Sequence, residues 1–592
     1  MIIAQNKETQ FKIIRASDAS AAEIHAVEEL QNFLHKITGA YFQIYLEGEP
    51  IYLQAADPQN GYESVLLYTE CTPKIFVGDI DFGKRNNWEK KQDLGNEGFS
   101  LQTKGDNLYL VGGRPRGVIY AVYSFLEKYC GCRWFNDEVS LIPTRVTLEI
   151  PFINDTQVPM LEYREPYYAA YPTADWHVRN KCNGDATLLS QEHGGKVKYF
   201  PFVHSFNEIL DPKEYFSVHP EYFSEINGVR ACPEGRTQLC LTNPEVLAIA
   251  KAKVREWIHK NPDVSIISIS QNDWFNFCTC EKCRAIDESE GSHMGTMLNF
   301  VNAIADDIAE EYPNISIDTL AYQYTRTPPK TLRPRKNVII RLCSIECCFA
   351  HPFTECDYSF ASENGSSKNS FVNDVLEWAK ICDRLYVWDY VVNFNHNILP
   401  HPNFGVLQKN IQFLAKNHVK GIFEQGNSFV GKYGEFDLLK RYVLAKLLWN
   451  PYCDMDTVVN EYLVGVYGGA AAEVRKYYDM LQNLVKSDTH INIFENPDAP
   501  YITDEFLQDA DACLARAERA ADNEERLGYV KALRLSIQYS QLSRMPVSNP
   551  ERKKLLDTFA HEIKAAGIET FYCRQPMDKA LQILSDGKNI IK

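Results

Sequence analysis

Between residues 155 and 450 short apolar runs alternate with stretches of helical periodicity, eight times over, and no other feature constrains the fold as much. A strand that returns parallel to its predecessor needs a crossover of a dozen residues or more, and a helix is the usual one. Repeated βα units therefore build a parallel sheet. Strands are predicted to end at residues 161–164, 199–204, 238–241, 266–273, 317–322, 338–343, 385–389 and 421–424. Eight such units close into a (β/α)8 TIM-type barrel, whose chemistry gathers at the C-terminal ends of the strands. At or just past those ends stand Arg164, His204, Asn272, Asp273, Tyr322, Glu346, Trp388, Asp389 and Glu424.

At 592 residues the chain exceeds what one core organises. Residues 1–152 read as a small α/β domain, with strands at 11–14, 74–78 and 108–111. Its helices run from Ala21 to Ile37, stopping near Gly39, and over an apolar stretch at 116–129 that stops before Gly131. The Gly112-Gly113 pair lacks the Lys-Ser/Thr of a phosphate loop and the spacing of a dinucleotide fingerprint, so it reads as a tight turn. Residues 153–452 hold the barrel, and 453–592 are helical, with Ala-, Leu- and Arg-rich periodicity at 510–521 and 524–543. The expected fold is thus α/β: a central barrel preceded by a small α/β domain and followed by a C-terminal helical domain.

A net charge of −16 offers no basic stripe to neutralise phosphates, which argues against a nucleic-acid partner. No apolar run approaches the length of a membrane span. The opening Met1-Ile-Ile-Ala-Gln-Asn shows no basic region followed by an apolar core, so the expectation is either a cytoplasmic protein or one exported after removal of a leader. With 17 cysteines, an odd number, at least one has no intramolecular disulfide partner. Cys343, Cys347 and Cys348 sit in an apolar segment and read as small core residues.

The run from Val264 ends in Gln271-Asn-Asp-Trp274 and is followed at once by Phe275-Asn-Phe-Cys-Thr-Cys-Glu-Lys-Cys283. An apolar strand breaks there into amide, carboxylate and indole. Asp273 is a candidate proton donor or, on a plainer reading, the cap of the next helix. Glu346 and Glu424 sit in apolar surroundings and are candidates for a second carboxylate, although an ion pair such as Glu346 with Arg341 is the alternative. Arg164 suits a bidentate clamp on a ligand or a structural ion pair with a nearby acid, and His204 an orienting hydrogen bond. Cys278, Cys280 and Cys283 have the spacing of a zinc knuckle short of one ligand, which His293 or another cysteine would supply; a disulfide or reduced thiols are the alternatives. No cofactor and no catalytic metal are expected, and oligomeric state is not readable.

Several segments resemble known glycosidases. Glu97-Gly-Phe-Ser-Leu101 and Gly113-Arg-Pro-Arg-Gly through Cys130-Gly-Cys-Arg-Trp134 resemble the non-catalytic α/β domain that precedes the barrel in β-hexosaminidases and α-glucuronidases. His204-Ser-Phe, Tyr215-Phe-Ser-Val-His-Pro-Glu-Tyr-Phe223 and Gln238-Leu-Cys-Leu-Thr-Asn-Pro-Glu245 look like the front half of an α-glucuronidase-like barrel. Gln271-Asn-Asp-Trp with Cys278-Thr-Cys-Glu-Lys-Cys283 resembles the bacterial domain of unknown function family 4838, part of which is classed as glycoside hydrolase family 163.

The family 163 resemblance implies an endo-β-N-acetylglucosaminidase that cuts the chitobiose core of complex N-glycans, on a glycan or glycoprotein partner. It implies a retaining, substrate-assisted mechanism, with Asn272 orienting the 2-acetamido group and Asp273 as acid/base. Tyr322 and Tyr324 would bond the acetamido carbonyl or developing oxazoline, Trp388 would floor the sugar, and Trp274 and Asp389 would contact it; barrel packing is the alternative for each aromatic. An Asp has a reference pKa of about 3.9 and needs surroundings that raise it for this work. Glycan-degrading relatives work outside the cytoplasm, so a periplasmic or secreted location is the expectation. Two alternatives stand: a glycosidase on uronic-acid-containing polysaccharide, with Arg164 and Arg179 near the sugar carboxylate, and a non-catalytic carbohydrate-binding barrel, in which Asp273, Glu346 and Glu424 do not converge.

Overall fold

The computed structural model describes residues 1–49, 52–57, 61–66, 72–78, 94–168, 173–360, 371–427, 434–572 and 574–587. They form two compact units. The first is Met1–Met160 with Pro172–Asn183 and Thr187–Lys196; the second is the rest of the chain.

The first unit is a mixed sheet with helices against it. Its strands are β1 (Lys12–Arg15), β2 (Ile44–Leu46), β3 (Lys74–Val77), β4 (Phe99–Lys104), β5 (Asn107–Gly112) and β6 (Asn154–Gln157), in the order β6-β4-β5-β3-β1-β2. Helix α1 (Ala21–Thr38) opens on a reciprocal cap between Ser20 and Glu23 and ends at Gly39, whose φ of 72° a side chain would resist. Helix α2 (Gly117–Phe125) is buried on every side. The Gly112-Gly113 turn leads into it, and a Cβ on either glycine would strike backbone, that of Gly117 or of Gly95. The glycines therefore serve close packing of turn on helix.

The second unit is built on a curled, wholly parallel sheet. Its strands are β7 (Tyr163–Tyr167), β8 (Ile266–Ser268), β9 (Ser316–Ala321), β10 (Val338–Cys343), β11 (Leu385–Tyr390) and β12 (Val419–Gln425), ordered β7-β12-β11-β10-β9-β8. The curl brings the two edges towards each other. Tyr163 from β7 and Ile266 from β8 share one core cluster with Tyr199, Ile339, Tyr386 and Phe423.

Among the described residues this sheet has six strands, where eight were expected. Residues 199–204 make one parallel bridge, Tyr199 to Ile266, and a few further bonds such as Phe200 N to Ile266 O at 2.9 Å. Pro201 has no amide hydrogen to give, and His204 turns to a φ of 55°, so extended pairing stops. Asp185 spans the remaining gap: its amide reaches Tyr163 Oη at 3.2 Å and its carboxylate takes the Tyr199 amide at 2.9 Å. Residues 238–241 leave the sheet altogether. Leu239 bridges Phe223 in antiparallel fashion, while Gln238 and Cys240 are drawn to residues 272–274 and to other cysteines.

Helices cover the outside, among them α3 (Pro244–Lys260), α4 (Glu281–Glu290), α5 (Met294–Ile308), α6 (Phe371–Ala379), α7 (Phe404–Lys416) and α8 (Asp437–Trp449). The chain then continues as α9 (Met455–Tyr467), α10 (Ala471–Gln482), α11 (Asp504–Ala520), α12 (Glu524–Arg544), α13 (Arg552–Ala565) and α14 (Met577–Ser585). Among the described residues no helix is long and apolar enough to cross a membrane.

Candidate active site

The turn after β8 is clamped by side chains distant in sequence. Gln271 is fully buried and its amide donates to Tyr322 O at 3.2 Å and to Thr325 Oγ1 at 2.8 Å. Gln238 accepts from the Asn272 amide at 2.9 Å and donates to the carbonyls of Asn272 and Trp274, both at 2.8 Å. Both side-chain amide hydrogens of Asn272 are taken, by Thr237 O at 2.9 Å and Asn207 Oδ1 at 2.8 Å. Trp274 Nε1 donates to Thr237 O at 3.2 Å. Asp273 alone of the four points out: it is exposed, and Tyr322 donates its hydroxyl to Asp273 Oδ1 at 3.1 Å.

Glu346, just past β10, is half-buried and paired with Arg326. The same guanidinium holds Asp374 at 2.8 Å, and Trp378 Nε1 donates to Arg326 O at 2.8 Å. The partner expected from sequence, Arg341, is elsewhere. It lies inside the curl of the sheet on Asp318 at 2.9 Å, with Tyr199, Phe202 and Trp388 rings within 4.9, 4.7 and 5.4 Å. Tyr390 closes the group. Burial holds its phenol far above the ordinary value, and Cys343, Tyr322, Glu346 and Asp273 each add to the shift. Asp273, Tyr322, Glu346 and Tyr390 thus stand at or just past the ends of four neighbouring strands, β8 to β11. Trp388, partly exposed, donates to Gln425 Oε1 at 2.7 Å and packs on Phe202 and Phe423 at 5.5 and 4.7 Å. His204 Nδ1 bonds Gln271 O at 2.7 Å, so its proton sits on Nδ1 and Nε2 is left for another partner.

Other expected residues are placed apart from this group. Alternation along β12 puts Phe423 and Gln425 on the inner face with Trp388, and Glu424 on the outer one. Glu424 is wholly buried there, and neither of its oxygens has a hydrogen-bond partner among the described residues. Burial raises it well above the carboxylate range, and the charge of Asp389, its neighbour in register on β11, adds to this. Asp389 accepts from Ser344 and from the Tyr390 amide at 2.9 Å, and burial pushes it up to about 6. Arg164 is buried, donates to Leu161 O at 2.6 Å and lies over the Trp449 ring of α8. Tyr324 turns towards Phe277 and His293, beside a pocket of about 530 Å³ that Arg284 and Asp287 also line. In the first unit, Arg179 is bound to Glu29 at 2.8 Å and Asp175 at 2.9 Å.

Sequence reading missed Arg326, Asp374 and Tyr390. An arginine in Tyr324-Thr-Arg-Thr carries no local mark of its acidic partners, whereas Tyr390 directly follows a residue already singled out. Glu165 was also missed: it accepts from Tyr163 Oη, the Ala186 amide at 2.6 Å and the Asp185 amide at 3.1 Å, and burial pushes it up to about 7. Among the described residues four groups could hold a metal ion, His25 with Asp175 and His193, His219 with Glu221 and Glu245, and two that offer four ligands each. Cys240 joins Cys278, Cys280 and Cys283, while His293, the other expected ligand, bonds Asp287 at 2.8 Å. Cys348, His351, Cys356 and His490 form the second group.

Residues 134–479 match the model of a protein family described as Domain of unknown function (DUF4838). No curated protein matches the sequence. Among solved structures, one described as a family GH115 4-O-methyl-α-glucuronidase with specificity for decorated arabinogalactans is similar over 100% of this chain and 80% of that one, at 11% identity and a TM-score of 0.55. Another, described as a GH138 enzyme targeting pectin rhamnogalacturonan II, covers 99% of this chain and 96% of its own at 10% identity and a TM-score of 0.42. The first of these likenesses shows a shared fold.

Proposed function

The chain belongs to the family described as Domain of unknown function (DUF4838), and from that premise we propose that it is a glycoside hydrolase acting on uronic-acid-containing polysaccharide. The observation that carries the reading is that Asp273, Tyr322, Glu346, Trp388 and Tyr390 stand at or just past the C-terminal ends of four neighbouring parallel strands, β8 to β11, with Tyr322 bonded to Asp273 and Trp388 stacked on Tyr390 at 6.4 Å. Glycoside cleavage needs an acid for the leaving oxygen and a second carboxylate at the sugar. Sugar bound over the exposed Asp273 would supply the desolvation an acid needs, and Tyr322 holds one of its oxygens and leaves the other to protonate the leaving group. Arg326 fixes Glu346 as the second carboxylate, and the Trp388 ring supports the sugar face.

The shared fold with an α-glucuronidase favours an acidic polysaccharide over the chitobiose core. The basic residues expected from sequence, Arg164 and Arg179, are bound elsewhere, and Arg326, at the site, holds Glu346 and Asp374. A periplasmic or secreted location fits a polymer too large to import.

The test is incubation with glucuronoxylan and decorated arabinogalactan, in parallel with a complex N-glycoprotein. Release of uronic acid or acidic oligosaccharide, lost in Asp273→Asn, is expected. Glycan release that leaves one N-acetylglucosamine on asparagine would replace this reading with the chitobiose one. Binding without any product would make the protein a carbohydrate-binding barrel.

A further inference from the structure

We propose that the second unit binds two zinc ions, one on Cys240, Cys278, Cys280 and Cys283 and one on Cys348, His351, Cys356 and His490. Within each group, one ligand atom from every residue lies within 4.8 Å of the others. A tetrahedral zinc with bonds of about 2.3 Å to sulfur and 2.0–2.1 Å to nitrogen places its sulfurs about 3.8 Å apart, and sulfur about 3.6 Å from nitrogen. Cys240 Sγ lies 3.8 Å from Cys280 Sγ and 4.0 Å from Cys283 Sγ. In the second group Cys348 Sγ lies 3.6 Å from His351 Nδ1, and Cys356 Sγ 3.7 Å from His490 Nδ1. A disulfide would bring two sulfurs to about 2.05 Å. The spacing is that of ligands around an ion.

The surroundings match a metal in each case. A ligating histidine normally gives its second ring proton to an oxygen, which fixes the tautomer. His351 Nε2 meets Lys486 O at 3.0 Å, with Nδ1 turned to the cluster. The His490 ring is stacked on Tyr358, centroids 4.0 Å apart. Bound thiolates are stabilised by N–H donors. Glu225 gives its amide to Cys278 Sγ at 3.3 Å and Ala350 gives its own to Cys348 Sγ at 3.4 Å. Thr242 Oγ1 lies 3.2 Å from Cys283 Sγ.

Sulfur-only and mixed sulfur–nitrogen tetrahedra are both zinc donor sets. Their place in the chain gives them a job. The first ion would tie the loop that leaves Asp273 to Cys240. The second would tie the loop that leaves Glu346 to residues between α10 and α11, a closure spanning 134 residues from Cys356 to His490. Both loops would be fixed where the two carboxylates emerge.

Metal analysis of the whole protein, purified by ion exchange without a tag or chelator, tests this. Two zinc ions per chain are expected. Cys240→Ser with Cys283→Ser should leave one, and Cys348→Ser with His490→Ala should leave the other. Because these variants risk misfolding, alkylation of the unaltered protein gives a second measurement: peptide mapping should find all six cysteines protected until chelator is added. Iron in place of zinc, a disulfide among the six, or equal labelling with and without chelator would overturn the proposal. A single zinc would refute the site whose variant retains it. None of these outcomes bears on whether the protein is a glycosidase.

Discussion

Asp273 has one hydrogen bond among the described residues and an exposed carboxylate, so its amide analogue should fold unchanged while the chemistry stops. Removing a general acid typically costs about 10²–10⁴ in rate, and Asp273→Asn should fall in that range for kcat with an unaltered circular dichroism spectrum. Tyr322→Phe removes the donor to Asp273 along with the hydroxyl's bond to Gln323, so kcat should drop by about tenfold, the equivalent of roughly 1.4 kcal/mol. Asn272 behaves oppositely. Its side chain is bound to Thr237 and Asn207, and Asn272→Ala should lower stability by about 1–3 kcal/mol in urea unfolding, through the polar groups it leaves unpaired. Asp273 was legible because an acid after an apolar strand stands out in a linear reading. The different employment of its neighbour was not, because the groups that bind Asn272 lie 35 and 65 residues away.

At the scale of strands, the alternation along β11 and β12 separates two sets of residues. Trp388, Phe423 and Gln425 face inward; Asp389 and Glu424 face the covering layer. Glu424→Gln keeps the shape and replaces a carboxyl that burial keeps protonated and that has no hydrogen-bond partner among the described residues, so kcat should stay within about twofold, as for changes away from a site. A loss of a hundredfold or more, read by steady-state kinetics, would put Glu424 in the chemistry and reverse the facing assigned to it. Strand positions were readable for the six that pair, since each is an apolar run bounded by polar residues. Facing was not readable. A parallel strand buried on both sides carries apolar residues at every position and loses the period-two signal. The two segments that fail to become strands fail for local reasons, Pro201 in one and the pull of Gln238 and Cys240 towards other partners in the other.

At the scale of the whole molecule, charge and buried acids set how the protein responds to its medium. A chain of net charge −16 repels a polyanionic substrate, and salt at about 0.1 M shortens the range of that repulsion to about 10 Å. KM for glucuronoxylan should therefore fall between low salt and 0.1 M, with no such fall for a neutral glycan. Net charge could be counted from the sequence; the protonation of buried groups could not, because it depends on which side chains folding removes from water. Burial pushes Glu165 up to about 7, Asp437 to about 7 and Glu435 to about 8. Lys440, lowered by the same burial, faces the last two and opposes them at alkaline pH. His396, pushed down to about 4, opposes them from there to about 6.5, its ordinary value. Glu165 stands clear of both. The native state holds its proton up to about 7 and the unfolded chain releases it near 4.5, so its contribution is complete below 4.5. That contribution is lost as pH rises through 7, at about 1.4 kcal/mol per pH unit. Glu165→Gln cannot accept from all the donors aimed at Glu165, which adds a penalty independent of pH. The pH-dependent signature is the difference in slope. Urea midpoints taken from pH 4.5 to 8 should show the wild type losing ground to the variant until about pH 7 and holding a constant gap beyond it. Parallel profiles across that range would mean that Glu165 is ionised in the folded protein throughout.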